Sequence, residues 1–236
     1  MKKKYIIVVP ARKGSKRLPN KNLKKIGKHT LLEIKLLNCL QNNLGPTVVT
    51  SDDQRILNDA RELGVKFLRK RPPKLEGDIP SSYIAYDAVK YYEKQENKKI
   101  DFFVYTQLTT PFISRQDFEN TTNFFSKNNK FNSLITCKSF DINPVLWSLF
   151  EDSKGKVVSF PKIMKKSLLD FIEDKKIYIP NGGIYIIRRN KLKKTGTLYT
   201  NPIKIWIMDK NLSIDIDYEE DLILARQIAK KIHEVY

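Results

Sequence analysis

Apolar residues along this chain fall into two alternating rhythms. Short runs rich in β-branched and aromatic residues predict strands at Tyr5–Val9, Thr47–Thr50, Lys66–Leu68, Phe102–Thr106, Ser133–Cys137, Gly183–Ile187 and Lys204–Met208. Between the early runs, apolar positions recur every three or four residues. Leu32, Leu36, Leu37 and Leu40 form one such series, and Ile56, Leu57, Ala60 and Leu63 the next. That spacing predicts helices over Leu31–Gln41, Gln54–Leu63, Ser81–Tyr92 and Arg115–Ser126, with a last one over Tyr218–Val235. Gly45-Pro46 and Gly64 stand where two of these helices should stop. Strand and helix in alternation predict an α/β fold, a mostly parallel sheet with helices on both faces. The rhythm weakens over residues 139–180, which are rich in Lys, Ser, Phe and Asp and punctuated by Pro144, Pro161 and Pro180. An excursion from a single main domain spanning residues 1–236 is expected there.

Composition narrows the class. The chain has 236 residues, 41% of them hydrophobic, which is enough for one large domain and too apolar for a disordered one. Its mean hydropathy is −0.45, and no apolar run approaches a bilayer span, so no membrane helix is expected. The basic start, Met1-Lys2-Lys3-Lys4, precedes an apolar run of only five residues that ends in Pro10. It reads as a first strand and not as an export leader, so a cytoplasmic protein is expected. Cys39 and Cys137 stand far apart, as do His29 and His233, which argues against a zinc site or a disulfide framework. Any metal would be a hard cation held by carboxylates.

Charge points further. Lys and Arg number 44 against 26 Asp and Glu, a formal net of +18. Such a balance attracts nucleic acid, anionic membrane surfaces and small polyanions such as nucleotides, although solvated lysine-rich faces also arise from composition alone. Residues 1–32 concentrate the effect, with eleven Lys and Arg and no acid before Glu33. No aromatic residue is interleaved between Arg12 and Lys28, which argues against stacking on nucleic-acid bases.

In open parallel sheets, ligands sit beyond the carboxyl ends of the strands. The first strand runs into Pro10-Ala11-Arg12-Lys13-Gly14-Ser15-Lys16-Arg17-Leu18-Pro19-Asn20-Lys21-Asn22. Gly14 permits close backbone approach, Ser15 offers a hydroxyl, and Arg12, Lys16 and Lys21 offer cations. This suits a triphosphate, although it also suits a basic surface loop, and it lacks the Walker A pattern. Near the other end, Asp215 and Asp217 alternate with Ile214 and Ile216. In extended chain, alternate residues share a face, so the isoleucines enter the core while the carboxylates point together. Such a pair suits Mg2+ bridging to a nucleotide phosphate. The acids of Glu219-Glu220-Asp221 instead fit a helix N-terminus. Two more segments are unusual, Gln107-Leu108-Thr109-Thr110-Pro111 after a strand and Pro180-Asn181-Gly182-Gly183 before one.

Taken together, these segments resemble the sugar-acid cytidylyltransferases, and most closely the CMP-N-acylneuraminate (CMP-sialic acid) synthetase family. The likeness is carried by Pro10, Ala11, Arg12, Gly14, Ser15, Lys16, Lys21 and Asn22, by Ser51-Asp52, and by Arg71-Pro72 with Leu75, Asp78, Ser81 and Ser82. It continues through the Gln107 loop, Asn181-Gly182-Gly183-Ile184-Tyr185, and Ile214–Asp217 with Asp221-Leu222. The resemblance implies a Rossmann-like nucleotidyltransferase fold, CTP and a 2-keto nine-carbon sugar acid as substrates, Mg2+, and a homodimer joined through the excursion. It implies CTP binding by Arg12, Ser15, Lys16, Lys21, Asn22, Arg71 and Ser82. It further implies sugar-acid contacts from Gln107, Thr109, Asn181 and Gly182, a metal pair in Asp215 and Asp217, and catalytic roles for Arg12, Lys21 and Asp217. The chain departs from the family pattern at Lys13, Leu108 and Gly183. Arg17-Leu18-Pro19 is similar to the Kdo cytidylyltransferases, whereas Lys21-Asn22 is not; a Kdo-type acid or another nucleotide is the alternative.

Overall fold

The first strand lies inside the sheet, and its four central residues are the reason. Ile6, Ile7, Val8 and Val9 are all fully buried, which requires cover on both faces. The computed structural model describes residues 4–40, 44–141, 148–151, 153, 157–159, 176–192 and 197–232. Strand β1 (Tyr5–Pro10) is followed by a short hairpin of β2 (Lys25–Ile26) and β3 (His29–Thr30), then helix α1 (Leu31–Leu40). Next come β4 (Thr47–Ser51), α2 (Gln54–Glu62), β5 (Phe67–Lys70), α3 (Ser81–Gln95), β6 (Phe102–Tyr105) and α4 (Arg115–Lys127). Strands β7 (Ser133–Phe140), β8 (Leu149–Glu151), β9 (Val157–Ser159), β10 (Ile177–Arg188) and β11 (Ile203–Ile207) precede α5 (Glu219–Lys231).

Seven strands form the main sheet in the order β11-β7-β10-β6-β1-β4-β5. β1 runs parallel to both β4 and β6, β4 to β5, and β7 to β11, while β10 is antiparallel to β6. This is a Rossmann-like α/β sheet. From β1 the chain winds outward through β4 to β5, then crosses back to β6 on the other side of β1. The reversal opens a crevice at the carboxyl ends of β1 and β6, where a ligand meets the loops that follow both strands.

Strand alternation sorts the core. Ile7 and Val9 of β1 pack in one cluster with Leu32, Leu36 and Cys39 of α1, Ile56, Leu57 and Ala60 of α2, and Phe118 and Phe125 of α4. α3 packs on β1, β4 and β5, against the face that carries Ile6 and Val8. Local signals start the helices. Asp53 accepts from the Arg55 amide at the head of α2, and Ser114 and Asp117 form a reciprocal capping box at the head of α4.

The predicted strands and helices are all present among the described residues, with ends shifted by a few positions. Gln41 and residues 233–235, the predicted ends of two helices, lie outside the described residues. One difference is instructive. Pro180-Asn181-Gly182-Gly183 reads as a loop before a strand, yet β10 runs straight through it, with Gly182 at φ 74°. The β2–β3 hairpin, turning at Gly27 with φ 60°, was not predicted.

The chain divides into two compact units, residues 1–137 with 180–236, and residues 138–179. Much of the expected excursion, including Pro144 and Pro161, lies outside the described residues. The second unit contains the antiparallel pair β8–β9, in which Leu149 and Val157 are exposed.

Candidate active site

A second, smaller apolar cluster assembles the site. Leu18 from the loop after β1, Ile26, Leu31, Ile34 and Phe112 pack with Ile216, Leu222 and Ala225 from the end of the chain. Leu18 follows Arg17, and Ile216 separates Asp215 from Asp217. Burying the apolar members therefore brings their charged neighbours together across some two hundred residues of sequence. Ile214 also packs on this cluster, as the alternation requires. The segment around it forms no regular strand; it is held by the Ile216 amide donating to the Thr109 carbonyl at 2.8 Å.

The result is a cleft of about 440 Å³ at the carboxyl ends of β1 and β6. Arg12, Ser15, Lys16, Arg17, Lys21 and Asn22 line one side, Arg71, Asp78 and Ser81 another, and Gln107, Thr109 and Asp217 a third. Lys21 Nζ donates to Asp217 Oδ1 at 2.9 Å, and Arg17 reaches Asp217 Oδ2 at 2.5 Å while lying 5.1 Å from the Tyr218 ring centre. Arg12 pairs with Asp78 at 3.5 Å. The loop itself is braced. Asn22 donates to the Arg12 carbonyl at 3.0 Å, and Asp52 accepts from the Lys13 and Gly77 amides, tying the first loop to the segment after β5. Gly14, at φ 64° with open space where a side chain would sit, lets the turn close.

The carboxylates differ in environment. Asp221, third in α5, accepts from the amides of Asp217 and Tyr218 and is a capping residue. Asp215 is more deeply set. Burial pushes its carboxyl above the usual range; a hydrogen bond from Thr109 works against this, and the charge of Asp217 adds to it. Its Oδ1 is buried with no hydrogen-bond partner. An orphaned carboxylate oxygen beside a second carboxylate fits a hard divalent cation that completes its shell with substrate phosphates and water. Asp215, with its orphaned oxygen, and Asp217, whose two oxygens meet Lys21 and Arg17, are the residues here that could hold such a cation. No cluster of three or more His, Cys, Asp or Glu suited to a metal occurs among the described residues.

Most residues expected at the site line this cleft; Ser82, Asn181, Gly182 and Asp215 do not. Ser82 is fully buried, while its neighbour Ser81 lines the cleft, because one helical step turns the side chain through about 100°. Asn181 is only 2% exposed; its amide donates to Ser213 Oγ and accepts from Thr136 Oγ1 and the Gly183 amide. Asn181 therefore supports the strand from within. Gly182 lies beside Asp215 and Gln107, since an added Cβ would lie 3.2 Å from Asp215 Oδ2 and 3.4 Å from Gln107 Oε1. Arg17 and Asp78 carry no site role in the sequence reading, although Arg17 stands in Arg17-Leu18-Pro19 and in the acid-free basic run, and Asp78 in the motif after Arg71-Pro72.

A doubly wound α/β sheet with a cation-lined crevice at its switch point, in which Asp217 meets Arg17 and Lys21, has the layout of a nucleotide-binding fold. The cytidylyltransferase family model matches residues 6–235, and the chain belongs to that family. It is 26% identical over 234 residues to a pseudaminic acid cytidylyltransferase of Campylobacter jejuni, covering 98% of each chain. It is 25% identical over 227 residues to the CMP-N,N'-diacetyllegionaminic acid synthase of Legionella pneumophila, covering 95% of this chain and 96% of that one. An N-acylneuraminate cytidylyltransferase of Escherichia coli is 27% identical over 236 residues, covering 98% of this chain and 53% of that longer protein. Among solved structures, a CMP:2-keto-3-deoxy-manno-octonic acid synthetase complexed with CTP superposes with a TM-score of 0.65 at 17% identity, covering 97% of this chain and 99% of that one.

Proposed function

We propose that this chain joins CTP to a nine-carbon 2-keto sugar acid of the sialic, legionaminic or pseudaminic type. The anomeric 2-hydroxyl oxygen of the acid bonds to the α-phosphorus of CTP, the bond from that phosphorus to the bridging oxygen of the β-phosphate breaks, and CMP-sugar, pyrophosphate and a proton result. The observation that carries this reading is the meeting of Lys21 and Arg17 with Asp217 in the one cleft that also holds Arg12, Lys16 and Gln107. Family membership supports the transfer to CTP chemistry, and the relatives' names support the class of acid.

Each wall has a task. Arg12, Lys16 and Lys21 receive the triphosphate and stabilise charge that builds on the departing pyrophosphate. Gln107, Thr109 and the Gly182 backbone face the sugar acid. Both substrates are anions; two unit charges at 4 Å repel by about 4 kcal/mol at an effective dielectric of about 20, and the cationic wall offsets that cost. Mg2+, held by Asp215 and Asp217, would supply Lewis-acid polarisation of the α-phosphate. Neither cysteine is suited to act as a nucleophile; both are buried, and burial pushes the Cys39 thiol up to about 12 and that of Cys137 to about 11. This favours direct displacement over a thiol-bound intermediate.

The test is pyrophosphate release with each of the four nucleoside triphosphates against a panel of sialic, legionaminic, pseudaminic and Kdo-type acids, with product masses measured. CTP-dependent formation of a CMP-nonulosonate is expected. Release with another nucleotide, or with the eight-carbon acid alone, would overturn the reading.

A further inference from the structure

Helix α1 carries a lysine where its pattern calls for an apolar residue. Lys35 is completely buried, flanked in sequence by the buried Ile34 and Leu36. Its ammonium donates to the Thr110 carbonyl at 2.8 Å and to Thr110 Oγ1 at 3.2 Å, and lies 5.8 Å from the centre of the Phe118 ring. Among the described residues no carboxylate pairs with it directly; Asp117 and Asp215 act on it only at a distance, as does Cys39 one turn along. Burial lowers its pKa to about 8. A buried ammonium without a carboxylate is costly, and methionine would fill the same space without that cost. The cation therefore has to be explained by what it holds.

It holds the loop between β6 and α4. Thr110 Oγ1 donates onward to the Gln107 carbonyl at 3.1 Å, so one ammonium closes a turn over residues 107–110. That turn aims the Gln107 and Thr109 side chains into the cleft, and its Thr109 carbonyl receives the Ile216 amide between the two aspartates. We infer that Lys35 is a positioning residue for the sugar-acid half of the site, acting through Thr110 to fix the loop that presents Gln107 and Thr109. The inference rests on the proposed function for the identity of the substrate, but the anchoring itself does not.

The experiment compares the full-length protein with Lys35→Met and, as a milder change, Thr110→Val, which keeps the methyl group near Gly182, puts a methyl in place of the hydroxyl and leaves the Lys35 bond to the Thr110 carbonyl. Both KM values, kcat, thermal midpoint and amide exchange over residues 107–110 are measured. Lys35→Met is expected to raise KM for the sugar acid at least fivefold, to leave KM for CTP within twofold, and to speed exchange of the 107–110 amides at least tenfold. Thr110→Val is expected to shift the same parameters by less. A drop in thermal midpoint with both KM values and the loop's exchange unchanged would make Lys35 merely structural and overturn the inference. Equal rises in both KM values would overturn it too. Should the wild-type protein turn over no nonulosonic acid, the proposed substrate falls, and loop exchange in the two variants alone decides whether Lys35 anchors the turn. If Lys35→Met does not fold, Thr110→Val, which breaks the Oγ1 link from Lys35 to the Gln107 carbonyl, decides on its own: loop exchange and sugar-acid KM both unchanged in it overturn the inference.

Discussion

Gly183 offers a demanding test of how the site is seated. The structure shows what a side chain at this position would meet. A Cβ added at Gly183 would lie 2.5 Å from Ile113 Cδ1, and 3.0 Å from both Ile113 Cγ1 and Asn181 Oδ1. Carbon atoms pack comfortably at about 3.5–4.0 Å, so the worst overlap is about 1 Å. Ile113 is fully buried in the main core and has little room to yield. Overpacking of this kind costs about 1–3 kcal/mol, less about 0.4–1 kcal/mol gained because alanine restricts the unfolded chain. Gly183→Ala is therefore expected to destabilise the protein by about 1–2 kcal/mol, lowering its midpoint by about 2–4 °C per kcal/mol for a domain of this size. Ile113→Val alone should cost about 0.5–1.5 kcal/mol, as a lost buried methyl does. The double variant removes the 2.5 Å contact and should be more stable than the sum of the two by about 1 kcal/mol or more. Urea unfolding of the four proteins gives that coupling directly. Additive costs would show that the added methyl finds space elsewhere, and that Ile113 does not explain the glycine.

Three further outcomes follow from named contacts. Asp217→Ala should lower turnover at least 100-fold with the fold intact by circular dichroism, as deletion of an essential metal ligand does; near-normal turnover would remove Asp217 from the chemistry. Arg12→Ala should mainly raise the CTP concentration needed for half-maximal rate, and an unchanged CTP response would count against the loop as the triphosphate seat. Glu93, remote from the cleft and with its side chain 3% exposed, is held by Arg189 at 2.9 Å and Lys99 at 3.4 Å. Burial pushes its carboxyl up, but hydrogen bonding and charge from Arg189, with Lys99, outweigh this and hold it below the usual value. Its stabilisation is thus complete above about pH 4.3, the unfolded value, and is lost as pH falls through the lower folded value. Glu93→Gln should cost about 2–4 kcal/mol at pH 7, and the gap to wild type should close in acid; a gap independent of pH would exclude the ion pair as its source.

Much of this architecture was legible because the strands are buried on both faces and therefore read as unbroken apolar runs, as in Ile6–Val9 and Phe102–Tyr105. The carboxylate pair was legible for the opposite reason, since Ile216 between Asp215 and Asp217 set their common side. What stayed hidden depends on partners distant in sequence. Nothing local says that Arg17 reaches Asp217, or that the Asn181 amide is taken up by Thr136 and Ser213 instead of facing a ligand. Strand β10 passed for a loop at its start because Asn181-Gly182 has turn chemistry, yet a positive φ at Gly182 is tolerated inside the strand and leaves room for Asp215 and Gln107. Lys35 did leave a trace, as a single cation among Leu31, Leu32, Ile34 and Leu36, but its worth as an anchor appears only once Thr110 lies beside it.

The charge pattern of the cleft gains meaning from that packing. Arg12, Lys16, Arg17, Lys21 and Arg71 crowd one crevice, and among the described residues that line it the acids are Asp78 and Asp217. Arg71 is buried with its Nε unpaired, and burial lowers its pKa. Such a wall repels itself, and a folded domain tolerates the repulsion only where packing elsewhere holds the loops in place. The cluster of Leu18, Ile216, Leu222 and Ala225 does so directly beneath it. A polyanion reaching the cleft would meet Arg12, Arg17 and Lys21 already drawn in by Asp78 and Asp217, so less of its binding energy would go into ordering them. The same apolar residues that bring Asp217 to Lys21 thus also shape the basic loop into a wall of the cleft.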